Sequence, residues 1–544
     1  MKTEDFSNRF CSEIPACPLL YEEESNMARY KTTERDQGRF IPVCFDLQIQ
    51  PGTFEYTLDY LIDNKVNLSV FDKVYRNDET GAPAYNPAVL LKIVLLAYSR
   101  GIFTSRDIAE LCDQNVIFMA ISGDTRPHFT TIAYFISSMK DQIKSVFADV
   151  LMYCDEVGLI GKNMFAIDGC KLSSNASKEW SGTHESFQEK LKKMRKAIDY
   201  ILNKHRDADY KESVTDQRQR EEQYIKTLNK QIEKIEDYLK ANKDKIGKQG
   251  KPIKSNITDN ESAYMKTSKG VIQGYNALVA VDDQDQVIVH AEAFGTGQEH
   301  DLLEPMIDSV QENLEAIGHK SDIRKKAQWT ADAGFHSEEN MKMLFADDID
   351  AYIADNQFRK RDPKFADVDK YKERHRKETA KKNGYNRTFT TKDFKFADDL
   401  SHCICPAGKR LYRNGGNTYT EGHHSVRFQG PKYHCLPCAL RSKCLRNPHG
   451  NGTRQVAFFT GKTKGLDTSY TQQMKDKIDS DKGRAIYSRR IGTVEPVFAN
   501  IRHALGLDRF TLRGKTKVDI QLNLYAILHN MLKLHRYGIE FGTG

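Results

Sequence analysis

Two short apolar runs each deliver an aspartate, in Phe165-Ala-Ile-Asp-Gly169 and in Trp329-Thr-Ala-Asp-Ala-Gly-Phe335. Short apolar runs of this kind read as buried strands, so Asp168 and Asp332 are expected where strands end. A third segment, Val494-Glu-Pro-Val-Phe498, puts Glu495 at the start of an amphipathic helix. Val494, Val497 or Phe498, Ile501 and Leu505 form a stripe able to dock on a sheet, with Glu495 at its border. Arg502 falls on the same side as Glu495, two turns on. If the three carboxylates meet, they suit Mg²⁺, because hard divalent cations take carboxylate oxygens. A two-metal site activates water and stabilises the leaving oxygen of a phosphodiester.

The periodicity around these segments predicts a mixed α/β fold. Strands are expected over 275–281, 287–293, 327–331 and 349–353, with helices over 301–314 and 337–345. Strands first, then alternating helix and strand, indicate a mixed sheet with helices on its faces. Asp168 would end the first strand and Asp332 the fourth, so adjacent strands ending at one edge would unite them. Between Asp168 and the next strand, Phe187, Leu191, Met194, Ile198 and Ile201 repeat at heptad-like spacing, and Ile225, Leu228, Ile232, Ile235 and Leu239 repeat it again. These stripes predict a helical hairpin inserted over 183–256. Residues 1–158 form a helical N-terminal region. There Val89, Leu90, Ile93, Val94 and Ala97 share a face, Gly101 is a stop, Thr104 or Ser105 caps a next helix, and Thr130 or Thr131 caps another. A helix-turn-helix DNA reader and a plain bundle both fit this pattern.

The net charge is +7, and its distribution says more than its total. Residues 359–382 are dense in Lys and Arg, and Arg489, Arg490, Arg502, Arg509, Arg513, Lys515 and Lys517 form a second stripe. Such stripes suit a phosphate backbone, and equally a solvated basic face. The longest apolar stretch, around 89–97, is far short of a membrane span. Residues 1–39 lack the basic start and apolar core of a secretory signal. Eleven cysteines without an export signal argue against a disulfide framework, and five of them crowd into 403–444. Cys405, Cys435, Cys438 and Cys444 offer four thiolates in two knuckles, the set a structural Zn²⁺ takes. Cys403 competes for the first position, and His434 or His424 could substitute. Their segment, 356–455, reads as a basic, cysteine-rich insertion.

Several motifs carry a resemblance. Gly81-Ala-Pro-Ala-Tyr-Asn-Pro87 with Tyr98-Ser-Arg-Gly101, Ala166-Ile-Asp-Gly169 with Ser174-Asn175-Ala176, and Gly274-Tyr-Asn276 with Val281-Asp282 come first. Ala331-Asp-Ala-Gly334, the stretch from Gly506 to Gly514, and His529-Asn530 complete the set. From about Leu58 to Lys533 the chain resembles the transposases of bacterial insertion sequences in the DDE superfamily, most closely the 1182-type group. The resemblance implies a ribonuclease H-like catalytic domain over 159–355 and 456–544, with Asp168, Asp332 and Glu495 as its Mg²⁺- or Mn²⁺-binding triad. It also implies that Tyr487, Arg490 and Arg502 contact the transposon end, with Arg509, Arg513 and Lys515 as further DNA-binding candidates. The gap from Arg490 to Glu495 is one residue longer than in the better-known relatives, and Arg502 stands where a Lys is usual. The expected partners are double-stranded DNA, as terminal inverted repeats and target, and a second copy of the chain in a dimer or larger assembly on paired ends. No membrane is expected, and the location implied is the bacterial cytoplasm, at the nucleoid.

Three rivals stay open at this stage: a DNA nuclease of the same fold, a zinc-containing DNA-binding protein without catalysis, and a ribonuclease, which lacks any recognisable RNA-binding module. Asp282 and Asp301 are rival ligands by position. Cys170 and His336 read as packing or solvent residues.

Overall fold

The computed structural model describes residues 42–75, 83–207, 215–247, 250–267, 270–365, 388–414, 418–420, 423–445, 447–462 and 470–538. Most of the basic run expected over 359–382, and the start of the motif at Gly81, lie outside these residues.

The central sheet has six strands: β1 Met164–Ser173, β2 Ala263–Thr267, β3 Gly270–Asp282, β4 Ile288–Phe294, β5 Gln328–Ala331 and β6 Ala351–Ile353. Their order is β6-β5-β1-β3-β2, with β4 also on β3. β3 lies antiparallel to β1, while β5 runs parallel to β1 and β6 parallel to β5. The mixed sheet flanked by helices is therefore as the sequence pattern predicts. β6 and all but the first residue of β5 are buried, as befits parallel strands covered on both faces.

One expectation needs correcting. β1 does not end at Asp168 but continues to Ser173, because its antiparallel partner runs on beside it as far as the pair Ser173↔Gly274. The parallel partner stops earlier. Gly274 permits the close approach there, since a Cβ would lie 2.0 Å from the Leu172 carbonyl oxygen.

Helices α1 Phe54–Asn64, α2 Pro87–Ser99, α3 Ser105–Gln114, α4 Val116–Ser122, α5 Phe129–Ser138 and α6 Lys140–Glu156 precede the sheet. Asn86 caps α2, with Pro87 at its first position, and Thr104 caps α3. His128, not Thr130 or Thr131, is the cap of α5. A long hairpin, α7 His184–Asp207 and α8 Thr215–Ala241, follows β1. Its own small core joins Phe187, Leu191 and Met194 to Leu228, Ile232 and Ile235, the residues of the two heptad stripes. Helices α9 Leu303–Ala316, α10 Glu338–Ala346, α11 Tyr470–Asp479, α12 Asp481–Ala499 and α13 Lys515–Tyr537 complete the body. Among the described residues no helix is long and apolar enough to cross a membrane.

α13 packs on α6 and β4, and one hydrophobic cluster runs from α1 through the sheet to α13. Its buried polar residues finish the exposed edge of β4. Asn530 Oδ1 accepts from the Ile288 N–H at 2.9 Å while its Nδ2 donates to the Ile288 carbonyl at 2.8 Å. Asp519 accepts from the Ala293 N–H at 2.8 Å. An unpaired strand edge is a template for unwanted pairing, and side chains of α13 stand in for a neighbouring strand.

His529 beside them is fully buried. Its Nε2 faces the Gln286 carbonyl at 2.9 Å and its Nδ1 the Asn500 amide nitrogen at 2.9 Å. Neutral imidazole satisfies both contacts by donating through Nε2 and accepting through Nδ1. Burial pushes its pKa down to about 4. The unfolded chain takes up this proton near 6.5 and the folded chain only near 4, so stability is full above pH 6.5 and falls as pH drops through about 4. The loss expected is about 3 kcal/mol. Urea titrations between pH 7 and 4 should show this acid limb, and His529→Gln should flatten it. An unchanged limb in the variant would refute the assignment.

The cysteine-rich segment forms a second sheet from β7 Lys395–Phe396, β8 His402–Ile404, β9 Arg410–Arg413, β10 Thr418–Thr420, β11 His423–Gln429 and β12 Gln455–Lys462, in the order β7-β8-β9-β11-β10 with β12 on β11. Phe394, Cys403, Leu411, Val426, Phe428 and Val456 are its buried core.

Candidate active site

Parallel pairing between β1 and β5 runs from Met164↔Gln328 to Ile167↔Ala331. The next residue on each strand is an aspartate, so register alone brings Asp168 and Asp332 side by side. Arg490 of α12 reaches both: its Nη1 lies 2.9 Å from Asp168 Oδ2 and its Nη2 3.5 Å from Asp332 Oδ1. The Gly169 N–H also donates to Asp168 Oδ1 at 2.8 Å. Burial raises the Asp168 pKa and the Asp332 charge adds to this, against the opposing pull of Arg490 and the Gly169 N–H.

The buried face of α12 comprises Gly483, Ile486, Arg490, Thr493, Val494 and Val497. Glu495, five residues beyond Arg490, lies about 140° around an α-helix from it and is exposed. It is not at a helix start, as its local pattern suggests, but near the carboxyl end of α12. Pro496 sits inside this helix and removes one N–H from the ladder. The Gln286 side chain donates instead to the carbonyl left over, that of Gly492, at 2.9 Å. A π-helical turn, Asn500–Ala504, follows. It breaks the α register that would set Glu495 and Arg502 on one side. Arg502 hydrogen-bonds the Cys170 thiol, two residues beyond Asp168 and on the same strand face.

A cleft of about 1230 Å³ opens beside Asp332, lined by Arg359, Lys360, Lys364, Tyr487 and Arg490 among others. Arg361 and Arg484 at its rim are held by Asp355 and Asp362 at 2.7 and 2.9 Å. Tyr487 packs edge-on against Phe358 and lies beneath the Arg490 guanidinium. Asp282 is elsewhere: buried, it accepts from the N–H groups of Gly161, Lys162 and Gln284 and closes a turn. Asp301 is exposed. His336 Nδ1 bonds the Ile353 carbonyl at 3.0 Å.

Sequence pattern alone misses Glu299, in the loop between β4 and α9. The charges of Asp168 and Asp332 both act on its carboxylate, whose pKa is raised first by burial and then by them. It accepts a hydrogen bond from Asn276 at 3.0 Å. The run Gly295-Thr-Gly-Gln-Glu-His-Asp301 marks a loop, and no spacing rule says which of its acids faces the sheet.

In the cysteine-rich sheet Cys405, Cys435, Cys438 and Cys444 line one cavity of about 30 Å³. Burial raises the Cys444 pKa, and the other three thiols raise it further. The Lys409 N–H points at Cys405 Sγ, 3.4 Å away, across a turn closed by Gly408. Cys403, the competitor for this position, is buried in the core of the sheet. The His424 side chain lies outside what the structure describes. Among the described residues, no group of three or more His, Cys, Asp or Glu is arranged to hold a metal ion as it stands.

Residues 404–535 match the family described as Transposase DDE domain, and residues 43–138 match the family described as Transposase domain (DUF772). The two matches indicate a DDE transposase of the insertion-sequence kind. No curated protein matches it. The matched segments hold the thiols, α12 and the N-terminal helices, whereas Asp168 and Asp332 fall between them. DNA is the partner that a transposase implies. Three basic candidates of this transposase are engaged within the chain: Arg509 Nε bonds the Ser174 carbonyl at 3.3 Å, Arg513 Nε the Asn175 carbonyl at 2.6 Å, and Lys515 pairs with Glu292 and Asp519. Arg509 and Arg513 secure the chain after α12 to the end of β1, and Lys515 ties the start of α13 to β4.

Proposed function

We propose that this transposase cleaves phosphodiester bonds at the ends of its element and joins the freed 3′-hydroxyls to target DNA, with Asp168, Asp332 and Glu495 holding Mg²⁺ or Mn²⁺. The observation that carries the reading is the β1–β5 register, which sets two carboxylates next to one buried arginine. A meander of β1, β3 and β4, followed by β5 and β6 parallel to β1 on its other side, supports a ribonuclease H-like core. The donors fit a hard cation, because they are carboxylate oxygens and two of them are set side by side by the register of β1 and β5. Bound divalent cations supply Lewis-acid chemistry to the phosphodiester.

The chain's own residues do the positioning. Arg490 offsets the mutual repulsion of Asp168 and Asp332 until cation and DNA arrive, and its guanidinium is then available to a phosphate. Glu495 comes from the same helix, and Pro496 with the adjoining π turn is where that helix is least regular. A shift of α12 there would turn Glu495 onto the site. Exposed Lys360 and Lys364 give the cleft beside Asp332 the charge to track a DNA backbone. The four thiols hold a structural Zn²⁺. Because joining needs two ends in register, the working unit is a dimer or larger.

The test is incubation with a DNA fragment bearing the element's own ends, a target plasmid and Mg²⁺ or Mn²⁺. Cleaved ends and joined products are expected. Cleavage without joining would make the protein a nuclease, and end binding without cleavage a non-catalytic DNA-binding protein.

A further inference from the structure

The cysteine-rich sheet has one face in its own core and one in solvent. Along β9 the residues alternate: Leu411 is buried in the core, while Arg410 and Tyr412 on either side of it point outward and are exposed. Register carries this outer face across the sheet. Ile404 of β8 lies opposite Arg410, His402 opposite Tyr412, and Lys395 of β7 opposite Ile404. Arg427 of β11, between the buried Val426 and Phe428, faces the same way. Among the described residues no carboxylate stands on this face. Asp399, in the turn between β7 and β8, is engaged locally, accepting from the Ser401 N–H at 3.1 Å and from its hydroxyl at 2.8 Å.

Apolar side chains sit in the open among these cations: Tyr412 is 49% and Ile404 39% exposed. The Arg410 guanidinium lies 5.7 Å from the centroid of the Tyr412 ring, and its Nη2 donates to His402 Nδ1 at 3.0 Å. Cation and ring are therefore set side by side before any partner arrives. The charge alone suits a phosphate backbone or plain water. The exposed ring decides between duplex and single strand. A duplex keeps its bases in its own stack and offers such a face little but phosphates, whereas an unpaired base stacks on an aromatic ring while neighbouring cations track the backbone.

We propose that the outer face of the cysteine-rich sheet binds an unpaired strand of DNA, with Lys395, Arg410 and Arg427 on the phosphates and a base stacked on Tyr412. This rests on the DNA-cleaving reading above, in which cleavage frees strand ends whose bases can unpair. The surface shares no residue with the cleft beside Asp332.

Fluorescence anisotropy tests it on the full chain, with a labelled oligothymidylate and a labelled duplex of mixed sequence as probes and no added Mg²⁺ or Mn²⁺. Tyr412→Ala is expected to raise the Kd for the single strand by about tenfold and that for the duplex by less than about twofold. Tyr412→Phe should keep the wild-type affinity, because the ring and not the hydroxyl takes the base. Arg410→Gln should lower the slope of log Kd against log salt for the single strand by about 0.7, the share of one phosphate contact. It decides the matter if Tyr412→Ala does not fold. Wild-type single-strand affinity in Tyr412→Ala, from a protein that binds DNA, overturns the surface and leaves the DNA-cleaving reading standing. An equal loss for single strand and duplex overturns the assignment to an unpaired strand. A wild type that binds neither probe overturns both readings.

Discussion

Asp332→Asn is expected to cut cleavage and joining by about a thousandfold while leaving the melting temperature nearly unchanged. A metal-stabilised transition state draws several kcal/mol from its cation, and about 4 kcal/mol is a factor of about a thousand in rate. Asparagine matches aspartate in shape but removes the charge that holds the cation. The structural cost is small, because the Asp332 side chain is 46% exposed and its contact with Arg490, at 3.5 Å, is the longer of the two. Asp168, at 2.9 Å, keeps the buried Arg490 guanidinium paired when the Asp332 charge is gone. Product formation on end-bearing DNA, set beside a thermal melt, separates the two effects. Retention of more than about a tenth of the wild-type rate would remove Asp332 from the chemistry, since a ligand worth several kcal/mol cannot be lost so cheaply.

The sequence exposes the parts of this site that depend on short-range pattern and hides those that depend on pairing. Asp168 and Asp332 are visible because each follows a buried apolar run, and the β1–β5 register makes them neighbours. The continuation of β1 past Asp168 is not visible, because it depends on a partner strand about a hundred residues away in the chain. The hairpin stripes are legible through their spacing, and the same residues form its core. The surroundings of Glu495 are not. An α-helical projection assumes an unbroken ladder, and Pro496 with the π turn after it breaks that assumption. The inward turn of Arg490 onto the aspartates follows from the buried face of α12, which begins well before the apolar stripe read from Val494 onward. Asn276 and Asn530 both sit within the motifs that carry the family resemblance. Only the structure separates an amide that bonds Glu299 from one that pairs with the edge of β4.

The other large effect concerns the thiols. Replacing Cys438 with Ser, or exposing the protein to a strong chelator, is expected to remove about one zinc per chain and to unfold the cysteine-rich sheet. Among the described residues that sheet has six buried core residues, a cluster separate from the main hydrophobic core. Segments this small rarely hold together on burial alone and depend on a staple. The apparent free energy of structural zinc binding, about 10–16 kcal/mol in zinc-finger peptides, is ample for that role. Burial and the three neighbouring thiols raise the Cys444 pKa, which favours its protonated form in the absence of a cation. Zinc ligands are thiolates, so binding releases protons and turns mutual repulsion into coordination. Limited proteolysis should therefore cut between β7 and β12 in the metal-free protein while the body built on the central sheet and α13 resists, and elemental analysis of the purified protein should find the zinc. Protein that is free of zinc as purified and yet equally protease-resistant would show that the thiols pack without a metal, and the cysteine-rich sheet would then need another source of stability.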